Sequence, residues 1–209
     1  MIGTIKKDLI HIFSSKRERI FYLLYIPFLL LIVDSYEPKW IYFAVIYSYT
    51  YLTCISTIAY ESNLKFNRVF NSLPITRKEV VIYKYISFFI YLTLVIVYAG
   101  VYLWIINTLG IKNVDYFNLE MIIRAIPILM ISLSIVFPSY FSLGPRLAQM
   151  VHIIVFVSFF IGIISVSGGD LFINKIFQFM ASGKFFILAS VVYLLSLILS
   201  TKLYEGKDL

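Results

Sequence analysis

Thiol is almost absent from this chain: Cys54 is the single cysteine in 209 residues. One sulfur cannot close an internal disulfide or build a thiolate metal cluster. It sits in an apolar run, where an unpaired cysteine behaves as a small hydrophobe. Histidine is nearly as scarce. His11 and His152 fall on different elements, and a metal site needs more ligands than that. Charge is thin at 14% of residues, against roughly 25% in soluble domains. No Asp or Glu lies inside any long apolar block, which weighs against an ion-coupled carrier or an intramembrane hydrolase. No G-x-x-x-x-G-K-[ST] run occurs, so the chain has no loop of its own to cradle nucleotide phosphates. With no acid–base constellation either, it does not read as an enzyme.

Apolar residues are what the chain does have, 61% of it, with a mean hydropathy of +0.90. This is the composition of an integral membrane protein. A helical span takes about 20 apolar residues to cross roughly 30 Å of hydrocarbon. Residues 1–209 therefore read as one all-α transmembrane domain of six helices with no separate soluble domain. The spans are expected at 20–33, 40–60, 80–106, 122–143, 147–166 and 185–203. The first is short, with Pro27 placed to bend it, and the third carries Lys84 one turn inside its start.

Orientation follows from the basic residues, which accumulate on the cytoplasmic side. With the N-terminus inside, thirteen of the 18 lysines and arginines fall in inner segments, and the net charge of +7 resides there. Both termini are then cytoplasmic. The basic N-terminus lacks a small-residue cleavage site after the first apolar block, so that block is expected to be retained. Residues 1–19 place Ile2, Ile5, Leu9, Ile12 and Phe13 on one helical face, with Thr4, Lys7, Asp8 and His11 opposite. That pattern predicts an amphipathic helix lying in the inner interface with its polar face to water. Residues 168–183, opened by Gly168-Gly169-Asp170, are too short to span and predict an outer re-entrant or interfacial piece.

The longest polar island, 61–79, separates the second and third blocks. Thr76-Arg77-Lys78-Glu79 is a capping box, in which the Thr76 side chain and the Glu79 side chain each bond the other's backbone N–H. A helix is expected to start at Arg77. Pro74 bars continuation of any helix before it. The result is helix, tight turn, helix, projecting into the cytoplasm with apolar Phe66, Val69, Phe70, Leu73 and Ile75 on a basic background. Those apolar residues either fold back beneath the spans or meet a partner.

The run Asn67-Arg68-Val69-Phe70-Asn71-Ser72-Leu73-Pro74-Ile75-Thr76-Arg77-Lys78-Glu79-Val80-Val81, followed by Lys84-Tyr85, resembles the inner loop of the type-2 ABC exporter permeases of Gram-positive bacteria. There NSLP-[IV]-[ST]-R-x-E-[IV]-V lies between spans two and three. The likeness is close over this segment and looser over the rest of the chain. Among these permeases, the subunits that export phenol-soluble modulins, amphipathic cytolytic peptides, are the most similar. The resemblance implies a coupling helix seated in a cytosolic ABC ATPase, with Phe66, Asn67, Phe70, Leu73, Pro74, Arg77 and Glu79 at the contact. It further implies ATP and Mg in that ATPase, a second permease subunit that is identical or a paralogue, and the bacterial cytoplasmic membrane as location. A rival reading is a non-transporting immunity or sensor subunit that binds amphipathic peptides.

A path for such a substrate has one candidate lining. Tyr49, Thr53, Ser56 and Tyr60 recur at i, i+4, i+7 and i+11 on the second span, with Thr57 beside them. Tyr91, Tyr98 and Tyr102 on the third span are placed to join. Small hydroxyl residues also help membrane helices pack closely, so the same face reads equally as helix–helix glue. His152 reads as a hydrogen-bonded residue near the inner end of span five.

Overall fold

The computed structural model describes residues 7–8, 10, 16–32, 38–61, 76–143, 145–167, 179–180 and 182–206, with only the backbone given for Arg17, Glu18, Ile32, Tyr60, Glu61, Val166 and Ser167. Among them run six long helices and no strand: α1 (Lys16–Ile32), α2 (Pro38–Glu61), α3 (Arg77–Thr108), α4 (Leu119–Ser142), α5 (Pro145–Ser167) and α6 (Gly183–Glu205). The chain is an all-α integral membrane protein. Five of the helices, α2 to α6, are long and apolar enough to cross a membrane. The expected first span falls short of the others. Its apolar part is Arg19–Leu31, because Lys16, Arg17 and Arg19 occupy its first turn. At 1.5 Å per residue its 17 residues reach about 26 Å, less than a typical hydrocarbon core. The 32 residues of α3 reach about 48 Å and must project beyond it.

Local signals set the ends. Thr76 caps α3, accepting from the Glu79 N–H at 3.3 Å, while the Thr76 N–H donates to the Glu79 carboxylate at 2.8 Å, the expected box. Asn118 caps α4 by accepting from the Met121 N–H at 3.2 Å. The helix therefore opens three residues before the apolar block at 122, with Glu120 in its first turn. Ser182 caps α6. The outer piece expected over 168–183 lies almost wholly outside the described residues.

The bundle is built around α2. Of its most apolar window 89% is buried, against 17% for α5. It packs on α3 and α4, while α6 closes the other side against α3 and α4. α5 leans on α4 and α2 and presents its remaining face outward. Tyr51 of α2 donates to the His152 carbonyl at 3.1 Å and lies 3.0 Å from His152 Nδ1, so His152 is the hydrogen-bonded helix-five residue expected.

Three helices carry internal prolines or their consequences. Pro138 has no N–H for the carbonyl of Ser134, four residues back, and in hydrocarbon such an acceptor must be filled from elsewhere. The Ser196 hydroxyl of α6 donates to Ser134 O at 2.8 Å. Pro27 frees the Leu23 carbonyl of α1 in the same way. The Tyr102 hydroxyl of α3 donates to it at 3.2 Å. Both replacements come from a different helix, so each proline binds two helices together.

That pairing gives a measurable coupling. Tyr102→Phe is expected to cost about 0.6–1.5 kcal/mol while Pro27 is present. With Pro27→Ala in the background the cost should fall close to zero, because the restored N–H satisfies Leu23 O within the helix. Unfolding of the four cycle members in mixed micelles reads the coupling. Equal costs in both backgrounds would show that the tyrosine is not a replacement donor.

Candidate groove and cation–carboxylate site

α1 touches α2 but stands off from α3, and the gap between them forms a groove. Its volume is about 880 Å³. α2 supplies the floor with Tyr49 and Thr53, α3 one wall from Tyr91 to Ile105, and α1 the other with Arg19, Tyr22 and Leu23. From Tyr91 to Ile105 the wall runs about 21 Å at helical rise. Its surface is chiefly aliphatic, from Leu94, Val97 and Val101, with hydroxyls set into it.

Those hydroxyls are largely occupied by the backbone of α1. Tyr49 donates to the Tyr22 carbonyl, Tyr98 reaches the same oxygen at 3.3 Å, and Tyr102 takes Leu23 O. The Tyr22 hydroxyl pairs with Thr53 Oγ1 at 3.3 Å. At the far end of α1, Lys112 Nζ donates to Leu30 O at 2.9 Å, filling one of the last-turn carbonyls that a helix leaves open. So α1 is moored to α3 by side chains that bridge the groove.

Of the expected path residues, Tyr49, Thr53 and Tyr98 are brought together here, joined by Tyr91 and Tyr102. Ser56 is not. Its hydroxyl folds back on the Thr53 carbonyl at 3.0 Å. The Tyr60 side chain lies outside the described residues. Arg19, Tyr22 and Leu23 were missing from the sequence reading, although Pro27 points to the carbonyl four residues before it.

The expected coupling residues divide. Phe66, Asn67, Phe70, Leu73 and Pro74 lie outside the described residues. Glu79 is exposed and engaged in the α3 cap. Arg77 reaches the C-terminus of α6, donating to Tyr204 O at 3.3 Å and Glu205 O at 3.1 Å, with its guanidinium 6.0 Å from the Tyr204 ring centre. A cation on the open carbonyls of a helix end is favoured by charge and by hydrogen bonding alike. This contact puts the start of α3 and the end of α6 on one side of the bundle.

Asp8 corrects the amphipathic picture of residues 1–19. Of that stretch up to residue 15, Lys7, Asp8 and Ile10 are described. Asp8, expected on a water-facing side, is 2% exposed. Its Oδ2 accepts from Tyr83 at 2.5 Å, Lys84 Nζ at 2.9 Å and Tyr91 at 2.8 Å, and its Oδ1 lies 3.3 Å from Lys7 Nζ. Lys84 is equally buried. Burial pushes the Asp8 carboxyl up, but Lys84 beside it, the hydrogen bonds from Tyr83 and Lys84, and then Lys7 outweigh that and hold it below the usual carboxylate range. The physical reason for the reversal is Lys84. A cation one turn inside an apolar helix needs an anion, and the polar face of the N-terminal segment supplies it.

Against known proteins, a family model described as ABC-2 family transporter protein matches residues 3–205. No curated protein and no solved structure matches the chain.

Proposed function

Since the chain belongs to the ABC-2 transporter family, a family of ABC-transporter membrane components, we propose that it is the membrane subunit of an ATP-driven exporter of amphipathic peptides. The observation that supports this reading is the groove between α1 and α3. It is walled by aliphatic side chains, studded with tyrosine hydroxyls and about 21 Å long, dimensions that suit a helix with one apolar and one polar face. Such a peptide partitions into the leaflet by its apolar face and meets the groove from there. Phenol-soluble modulins are peptides of this kind, and the loop 61–79 is similar to that of their exporters.

In this reading two permease chains pair, identical or paralogous, and two cytosolic ATPase subunits dock beneath them. The ATPases hold ATP and Mg, and the permease itself hydrolyses nothing. ATP shifts the assembly because it binds the two ATPase arrangements unequally. The shift enters the permease through 61–79 and passes into α2 and α3, two of the three helices that form the groove.

The orientation has its own test. Single cysteines at Ser72 and Asn113 in a Cys54→Ser background are expected to be reached by an impermeant thiol reagent at Asn113 in intact cells, and at Ser72 only after lysis. Labelling of Ser72 in intact cells would invert the topology.

Groove chemistry separates transport from packing. Thr53→Leu removes a hydroxyl that faces the groove, whereas Ser56→Leu alters one folded onto its own helix. Thr53→Leu is expected to reduce secreted peptide several-fold at normal complex levels, and Ser56→Leu to leave export near wild type. Equal export from both, with the complex intact, would remove the groove from the path. Peptide protection of the host cell without any export, in wild type, would favour the immunity or sensor reading.

A further inference from the structure

Asp8 is the one carboxylate recorded as buried among the described residues. Three donors converge on a single one of its oxygens, and all three come from α3: Tyr83, Lys84 and Tyr91, at i, i+1 and i+8. The acceptor comes from a different piece of chain, ahead of α1. A receptor for a carboxylate is thus built on a rigid helix, and its occupant is carried on a separate segment.

Tyr91 connects this receptor to the groove. Its hydroxyl holds the carboxylate while the residue also lines the groove wall. Arg19 lines the same groove. The groove therefore joins aliphatic walls to a cationic end. Lys84 is 2% exposed, and an ammonium at that depth is unfavourable once deprived of its carboxylate. Whenever the N-terminal segment lifts, the receptor gains most from another carboxylate, and the groove is the route by which one arrives.

We propose that Lys84, Tyr83 and Tyr91 form a carboxylate-binding site, that Asp8 fills it in the resting chain, and that an acidic group of an amphipathic peptide lying in the groove replaces Asp8 during transport. This rests on the peptide-export reading and names where the peptide's negative charge is held. Asp8 is then an internal competitor. Apparent affinity for the acidic group is reduced by the fraction of time the site is occupied from within.

The test uses the full chain in lipid nanodiscs and a fluorescent amphipathic helical peptide whose only acidic group is its C-terminal carboxylate, compared with the same peptide amidated. Asp8→Ala is expected to raise affinity for the acid form about tenfold, a site free roughly a tenth of the time becoming free throughout, and to leave the amide unchanged. Asp8→Ala combined with Lys84→Met should bind both forms equally. Where Asp8→Ala alone is unstable, the acid form should raise its melting temperature and the amide should not, since a ligand stabilises the state it binds. Equal binding and equal stabilisation by acid and amide in every variant overturns the carboxylate site while leaving peptide export standing. Binding of neither form to any variant overturns the export reading and the site with it.

Discussion

Lys84→Met is expected to destabilise the protein by about 3–5 kcal/mol, the usual cost of leaving one member of a buried ion pair without its partner. The substitution keeps the volume and the apolar stem of the lysine but strands the Asp8 carboxylate, 2% exposed, against two tyrosine hydroxyls. Pairing it with Asp8→Leu removes both charges. Replacement of a buried pair by apolar residues of similar size is often neutral, so the double variant should recover most of the loss. Melting in detergent micelles and the yield of monodisperse protein report both effects. A single variant as stable as wild type would mean that the pair is solvated in the membrane-bound protein. The pH dependence has a definite sign. The Asp8 carboxyl is held below its ordinary 3.8, so its contribution is complete above that value and is lost only as pH falls through the lower, folded one. Mild acidification to pH 5 should leave stability unchanged.

Leu73→Asp is expected to abolish export through a different route. If 61–79 seats in an ATPase groove, a charge placed on its apolar side should cost several kcal/mol of association, enough to lose the ATPase from a pull-down. Melting of the isolated permease should change by less than about 0.5 kcal/mol equivalent, the range for a surface position. Arg77→Glu should behave otherwise. Its guanidinium lies on the carbonyls of Tyr204 and Glu205, and a carboxylate there would face the negative end of α6. It should therefore lower the stability of the permease alone, with any loss of ATPase secondary to that. Retention of the ATPase and of export in Leu73→Asp would remove the coupling role from this loop.

These expectations draw unequally on sequence and structure. The helices were legible because apolar blocks of membrane length have few other meanings, and the start of α3 was legible to the residue because a capping box has a fixed spacing. The start of α4 was missed by three residues, since Glu120 breaks the apolar block while Asn118 caps the helix beyond it. The groove was half legible. The hydroxyl periodicity of α2 identified Tyr49 and Thr53 but could not tell that Ser56 turns back onto its own backbone. Asp8 was misjudged for a physical reason. Periodicity shows that a segment has a polar face, and it is silent on whether that face meets water or a buried lysine. Lys84 was visible as an anomalous charge, and its partner was the missing half of the same observation.

The mooring of α1 has a consequence for how its sequence can vary. The oxygens that Tyr49, Tyr98, Tyr102 and Lys112 grip belong to the main chain, and no side-chain replacement deletes a main-chain carbonyl. Most of what locates α1 is thus written in α2 and α3, in residues far from it along the chain. Exhaustive substitution should then give an uneven map. Leu24, Phe28 and Leu31, each more than half exposed, should accept almost any apolar residue. Variation at Tyr98 and Tyr102 should be punished although both lie on another helix, and Pro27 should be the position on α1 whose replacement changes what its neighbours tolerate.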